Sequence, residues 1–130
     1  MPVFHDPVIA ALTRFLDVNV FRSELVMSNM ANIDTPGYRT RDINFSQELE
    51  RADPGINDSN LEYASFESAA LSPSSRPVRG LMERPDGNNV SLERESLLLA
   101  DTQMRFNAGV QLLRDRFKVL SSAIHEGSAS

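Results

Sequence analysis

From Leu92 to Ile124 the chain returns to one face at alternating steps of four and three residues: Leu92, Ser96, Leu99, Gln103, Phe106, Val110, Leu113, Phe117, Leu120 and Ile124. That is the heptad seam of a helix that packs lengthwise against other helices. Gly109 alone interrupts it. A glycine there costs about 1 kcal/mol against alanine, so it is either tolerated or lets a neighbouring backbone come close. At 1.5 Å per residue the segment forms a rod of roughly 50 Å, a length suited to a bundle or a polymer. A second helical pattern follows Asp6-Pro7, a capping residue and a first-turn proline. Leu12, Leu16, Asn19, Ser23, Val26, Met30 and Ile33 step by four and three, and Phe15, Val18, Phe21 and Leu25 widen the apolar face. Neither helix can bury its stripe alone, so they pair with each other or with other subunits.

Between the helices the periodicity fades. Pro36 disfavours a helical Thr35, and Pro36-Gly37 suits the centre of a type II turn, so the first helix should stop near Asn32 or Ile33. Asn29 and Asn32 stand where they can bond freed carbonyls or a partner helix. Phe45 to Leu49 suits a short helix capped by Asn44 and ended by Asp53-Pro54-Gly55, while residues 57–79 have the Ser, Asn and Pro content of loop or partial disorder. Val78 to Glu83 is a candidate strand or hairpin arm. Pro85-Asp86-Gly87-Asn88-Asn89 is a dense turn, after which Ser91 can cap the last helix and Glu93 and Glu95 favour its positive end. The expected fold is mainly α. Long N- and C-terminal helices pair as an antiparallel coiled-coil hairpin around an irregular, partly extended insert. It divides as 1–38, 39–90 and 91–130 within one structural domain.

Composition narrows the function. The 130 residues are 41% hydrophobic and 7% aromatic, with a net charge of −5. Scattered basic residues in an acidic chain argue against a nucleic-acid partner. The chain has no cysteine, hence no disulfide or thiolate metal site. Met1 to Asp6 lacks the basic and apolar regions of a cleavable signal peptide, and no run approaches the ~20 apolar residues of a membrane span.

Enzyme chemistry fails on inventory. His5 and His125 sit at opposite ends, and two imidazoles without a third ligand make a poor metal site, so no metal or cofactor is expected. Glu93, Glu95, Asp101 and Asp115 are spaced around a helix rather than converging, as on a solvated face. Arg105, Arg114, Arg116 and Lys118 fall off the seam by the heptad count. Gly80 and Gly87 form no phosphate-cradling pattern, and Met27, Met30, Met82 and Met104 suit gap-filling packing.

Two stretches carry a family resemblance. Asn29-Met30-Ala31-Asn32-Ile33-Asp34-Thr35-Pro36-Gly37-Tyr38 resembles the signature that ends the N-terminal helix of the axial proteins of the bacterial flagellum, its rod and hook proteins. Asp86-Gly87-Asn88-Asn89-Val90-Ser91-Leu92-Glu93-Arg94-Glu95 resembles the run that opens the C-terminal helix of the proximal-rod members. Tyr38 to Phe45, Gln103, Arg105-Phe106-Asn107, Gln111-Leu112-Leu113 and Phe117 fit the same pattern. Ser91, Met30 and Ser96 depart from it, standing where Asp, Ile and an apolar residue are usual.

The resemblance covers about half the chain and leaves residues 51–84 unsupported. It implies a structural subunit that polymerises helically into the proximal rod of the drive shaft and its central export channel. It also implies as partners copies of itself and other rod proteins, a rod-to-ring adaptor subunit, the inner-membrane ring and the flagellar type III export apparatus. The subunit would be made in the cytoplasm and exported unfolded, without a cleaved signal peptide, to the periplasmic side of the inner membrane. Phe45 and Leu49 resemble a short Phe-x-x-x-apolar signal by which early flagellar subunits dock on the export gate. Assembly would rest on the seam Leu92, Leu99, Phe106, Val110, Leu113, Phe117, Leu120 and Ile124, with Leu12, Leu16, Val26 and Met30. The alternatives are another proximal-rod axial protein, or a cytoplasmic coiled-coil adaptor or export chaperone, which has no reason to carry the two turns. With so little shared core, the isolated subunit is expected to be only partly folded.

Overall fold

A computed structural model describes residues 6–52 and 73–128. His5, the Asp53-Pro54-Gly55 stop and most of the 57–79 loop lie outside the described residues. The element order is α1 (Pro7–Ala31), β1 (Arg41–Asp42), α2 (Phe45–Ala52), β2 (Arg76–Pro77) and α3 (Leu92–Ser128). No helix among the described residues is long and apolar enough to cross a membrane.

Local chemistry sets the helix ends where the sequence places them. Asp6 caps α1 by accepting from the Val8 amide at 2.8 Å, with Pro7 beginning the first turn. At the other end Asn32 is the C-cap, and its Nδ2 donates to the Ser28 carbonyl at 2.8 Å. The turn that follows is closed by Tyr38 N donating to Thr35 O at 3.2 Å, with Gly37 at φ +75. Asn44 caps α2 through the Gln47 amide, and Ser91 caps α3 through the Arg94 amide.

α1 and α3 pack antiparallel along most of α1. Three contacts mark the alignment: Asn29 Nδ2 to Glu95 Oε2 at 3.1 Å, Gly109 under Phe15 and Leu16, and Arg116 Nε to Asp6 Oδ2 at 2.8 Å. A Cβ on Gly109 would stand 2.8 Å from Leu16 Cδ2 and 3.0 Å from Phe15 Cδ1. The glycine therefore serves close packing, with side chains rather than backbone filling its space. α2 lies across the hairpin, Phe45 meeting Phe15 edge-on at 5.5 Å between centroids and taking the Arg105 guanidinium at 5.3 Å.

The insert is tied down by a two-residue antiparallel ladder, Arg41 opposite Pro77 and Asp42 opposite Arg76. This corrects the expected arm at Val78–Glu83. The pairing comes earlier, and Gly80 at φ +80 turns the chain out of extended geometry before a longer strand can form.

Apolar burial inside the subunit is sparse. Val18, Val26, Ile43 and Val90 are the buried hydrophobic residues among those described, against Asn19, Asn29, Thr40, Glu48, Asn88, Asn89, Glu95 and Thr102 on the polar side. A polar interior outnumbering the apolar one holds its shape by hydrogen bonds, and much of the hydrophobic stripe stays outside it. The methionines depart from expectation accordingly. Met27, Met82 and Met104 are exposed, Met82 at 92%, and Met30 is half-buried.

Candidate functional site

The two signature stretches, about fifty residues apart in the chain, interlock into one structure. Asn88 is fully buried, and its single amide nitrogen donates to the carbonyls of Asn32, Ile33 and Thr35 at 2.9, 3.0 and 2.9 Å. Two of these belong to the frayed end of α1, where carbonyls lack helical partners. Arg84 also donates to the Ile33 carbonyl. From the other side Gly37 N donates to Asp86 O at 2.9 Å, and Asn89 Oδ1 accepts from Thr40 N at 2.7 Å. The turn carrying Asn88 is itself a hairpin: Gly87 N to Arg84 O at 2.9 Å, Arg84 N to Asn88 O at 2.8 Å, and Gly87 at φ +86.

Asn29 sits beneath this junction with every bonding position filled. Its Nδ2 donates to Arg41 O at 2.8 Å and to Glu95 Oε2, while its Oδ1 accepts from Tyr38 Oη at 3.0 Å and Arg41 N at 3.2 Å. Asn29, Asn32, Thr35, Gly37, Tyr38, Asp86, Gly87 and Asn88 are thus one hydrogen-bonded unit. Ala31 and Pro36 are exposed at its edge and set the helix end and the turn.

A charged chain continues from it. Arg22 binds Asp42 through both oxygens at 3.0 and 3.1 Å, Arg94 bridges Asp42 at 2.9 Å and Glu95 at 2.7 Å, and Glu95 returns to Asn29. Two cations balance two carboxylates in a largely dehydrated site. Burial pushes the Asp42 carboxyl up, but hydrogen bonds from Arg22, the Ile43 amide and Arg94, with the Arg22 charge, outweigh it and hold the carboxyl below its ordinary value. A second cluster forms around buried Glu48. Dehydration raises its pKa, yet Ser74, through hydroxyl and amide, and Arg51 bring it below the ordinary value. Arg14 approaches the same carboxylate at 3.6 Å. No group of three or more His, Cys, Asp or Glu among the described residues is arranged to hold a metal.

The seam divides in two. Leu99, Phe106, Leu113 and Leu120 are half-buried, as are Leu12, Leu16 and Met30 on α1, with Val26 wholly buried. Leu92, Phe117 and Ile124 are about half-exposed at 51, 53 and 58%, and Val110 is half-buried beside them. The column nearest α1 is instead Glu95, Thr102, Gly109 and Arg116, every seventh residue of α3. The apolar stripe is therefore rolled to one side of the hairpin contact.

This corrects two expectations. Glu95 belongs to no solvated face, being 0% exposed, and Arg116 lies on the contact with α1, because Asp6 at the α1 cap gives it a carboxylate there. Sequence periodicity also missed Arg22, Asp42, Arg94 and Asn89. The seven-residue recurrence of small or polar side chains from Glu95 to Arg116 was the available signal for the inward column. Phe45 and Leu49 are both half-buried, with Phe45 held between α1 and α3.

No protein-family profile matches the chain. Against curated proteins it is 31% identical over 122 residues to the flagellar basal body rod protein FlgB of Yersinia enterocolitica, spanning 86% of this chain and 89% of that one. It is 29% identical over 123 residues to the FlgB of Salmonella typhimurium, spanning 87% and 89%, and 30% over 118 residues to that of Proteus mirabilis, spanning 82% and 85%. A likeness of this extent along both sequences shows that the chain belongs to the family of the flagellar basal body rod protein FlgB.

Proposed function

We propose that the chain is a structural subunit of the flagellar basal-body rod, polymerising helically into its proximal part and enclosing the export channel. The observation that carries this is the half-exposed flank of Leu92, Phe117 and Ile124 beside Val110 on a helix of 37 residues. A private hairpin would bury such a stripe, whereas a polymer keeps it for its neighbours. Family membership says which polymer.

In this reading the partners are copies of the chain and other rod proteins, with a rod-to-ring adaptor joining the base to the inner-membrane ring. The subunit works on the periplasmic side of the inner membrane after passing unfolded through the type III export apparatus, and its work is mechanical rather than catalytic. Phe45 and Leu49 serve export while the chain is unfolded and packing once it has folded. The interlocked turns are the rigid clamp that holds α1 and α3 in one alignment. Electron microscopy of purified basal bodies, with this chain tagged, tests the reading: label belongs in the rod next to the inner-membrane ring. Label elsewhere, or none, overturns it.

A further inference from the structure

α1 has four charged residues, and their disposition is lopsided. Its two cations are consumed inside the subunit, Arg14 beside Glu48 and Arg22 on Asp42. Its carboxylates Asp17 and Glu24 are exposed and make no ion pair among the described residues. Beside them Val20 and Met27 are 44% and 53% exposed. Both pairs are spaced seven residues apart, so the outer face of α1 carries an acidic row and an apolar row side by side.

α3 carries the opposite arrangement. Arg114 and Lys118 are exposed and likewise without an ion pair among the described residues, and they border the flank of Val110 and Phe117. We propose that the outer face of α1 in one copy docks on this flank of α3 in a second copy, Val20 on Phe117, Met27 on Val110, Glu24 beside Arg114 and Asp17 beside Lys118. This rests on the rod reading and supplies its lateral contact between copies.

The pairing follows from symmetry as well as charge. Copies stacked in one sense along an axis present α1 of one antiparallel to α3 of the next, as within the hairpin. A parallel alignment would bring the same carboxylates to the same cations, Asp17 to Arg114 and Glu24 to Lys118, so it is the common polarity of the stacked copies that selects the antiparallel sense. Two different faces meet, so the contact is heterologous and does not close on itself. Relative to the hairpin the alignment is displaced by about 13 residues, an axial offset of roughly 20 Å between neighbouring copies.

The absence of cysteine makes the test direct. A chain with Glu24→Cys and Arg114→Cys is expressed in place of the native copy, and basal bodies are purified, mildly oxidised and probed by immunoblot. Dimers and higher multiples of this chain are expected, with none beyond dimers from either single variant. A disulfide needs Cα atoms within about 7 Å, and inside one subunit these positions lie about 20 Å apart along the hairpin, so no product arises within a single chain. Basal bodies that contain the double variant only as monomer, or joined to a chain of another mass, overturn the pairing.

A charge-reversal arm covers failure of the cysteine chain to incorporate. Asp17→Lys with Glu24→Lys should lower the rod-bound chain at least tenfold, and adding Arg114→Glu with Lys118→Glu should restore it. Lack of restoration overturns the pairing while leaving the rod reading intact. Absence of the wild-type chain from basal bodies removes the rod reading and the pairing with it.

Discussion

Gly87 lies directly against Gly37: a Cβ at Gly87 would stand 3.4 Å from the Gly37 Cα, and the Gly37 amide donates to the neighbouring Asp86 carbonyl at 2.9 Å. Both glycines have positive φ, +75 and +86. Gly87→Ala therefore adds left-handed strain of about 1–2 kcal/mol at the point where the two turns touch. Loss of helical circular dichroism in urea should shift to lower concentration. An unchanged midpoint would show that the two turns are not clamped.

Asn88 should be the costliest polar residue to lose. Asn88→Ala removes the hydrogen bonds to the carbonyls of Asn32, Ile33 and Thr35 together, leaving each with one other donor, and each lost bond costs about 0.5–1.5 kcal/mol. Hydrogen exchange reads this locally. Protection of amides at 35–42 should fall towards that of the α3 end beyond residue 120, and Asn88→Asp should not rescue it, because a carboxylate cannot donate. The same experiment on the wild-type subunit tests partial folding: protection should centre on the clamp and fade towards the distal end of α3, and uniform protection to residue 124 would contradict it.

Gly109→Ala sets two effects against each other. Alanine gains about 1 kcal/mol of helix propensity, but its methyl overlaps Leu16 and a Phe15 ring already held by Phe45. Overpacking a tight contact costs about 1–3 kcal/mol, so the variant should be destabilised or at best neutral, and Gly109→Val clearly destabilised. A gain in the urea midpoint for either would mean that the helices do not meet at Gly109.

Stability should fall in acid, and the sign follows from Asp42 and Glu48. Both are held below their ordinary values of 3.8 and 4.5 in the folded chain, so each contributes stability that is present above those values and is lost as pH falls through the lower folded ones. Urea midpoints should be flat from pH 7 to about 5 and drop below about 4. Asp42→Asn should flatten part of that drop while lowering stability at pH 7, since Arg22 and Arg94 then lose their shared carboxylate. An acid limb identical to the wild type would remove Asp42 from the account.

Leu113→Asp should stop the rod at its base and abolish motility while synthesis and export continue, because an exported chain travels unfolded and a carboxylate replaces a half-buried apolar side chain of the seam. Asp101→Ala is the control. Its ion pair with Arg105 is about half exposed, and such pairs are worth about 0.2–1 kcal/mol, so swimming should be nearly unchanged. Comparing secreted and cytoplasmic pools of Phe45→Ala separates export from packing. Normal secretion leaves Phe45 only its contacts with Phe15 and Arg105.

Local interactions settled what sequence alone determined. Asp6-Pro7, Asn44 and Ser91 start helices because a side-chain oxygen reaches an amide two or three residues on, and Thr35-Pro36-Gly37-Tyr38 ends one because backbone geometry leaves no other choice. Heptad spacing likewise determined two long helices with half-buried Leu99, Phe106, Leu113 and Leu120. What spacing does not carry is rotation. A stripe as wide as that of α3 is compatible with several orientations about its axis, and the one adopted was decided across the hairpin by Gly109 under Phe15 and Leu16, Arg116 on Asp6 and Glu95 on Asn29. The same holds for Asp42 and Asn88. Nothing near them in the chain distinguishes a buried carboxylate or amide from an exposed one, because Arg22 reaches Asp42 only once the chain has turned back along α1, and Arg94 reaches Asp42, and Asn32 and Thr35 reach Asn88, only once α1 and α3 have aligned.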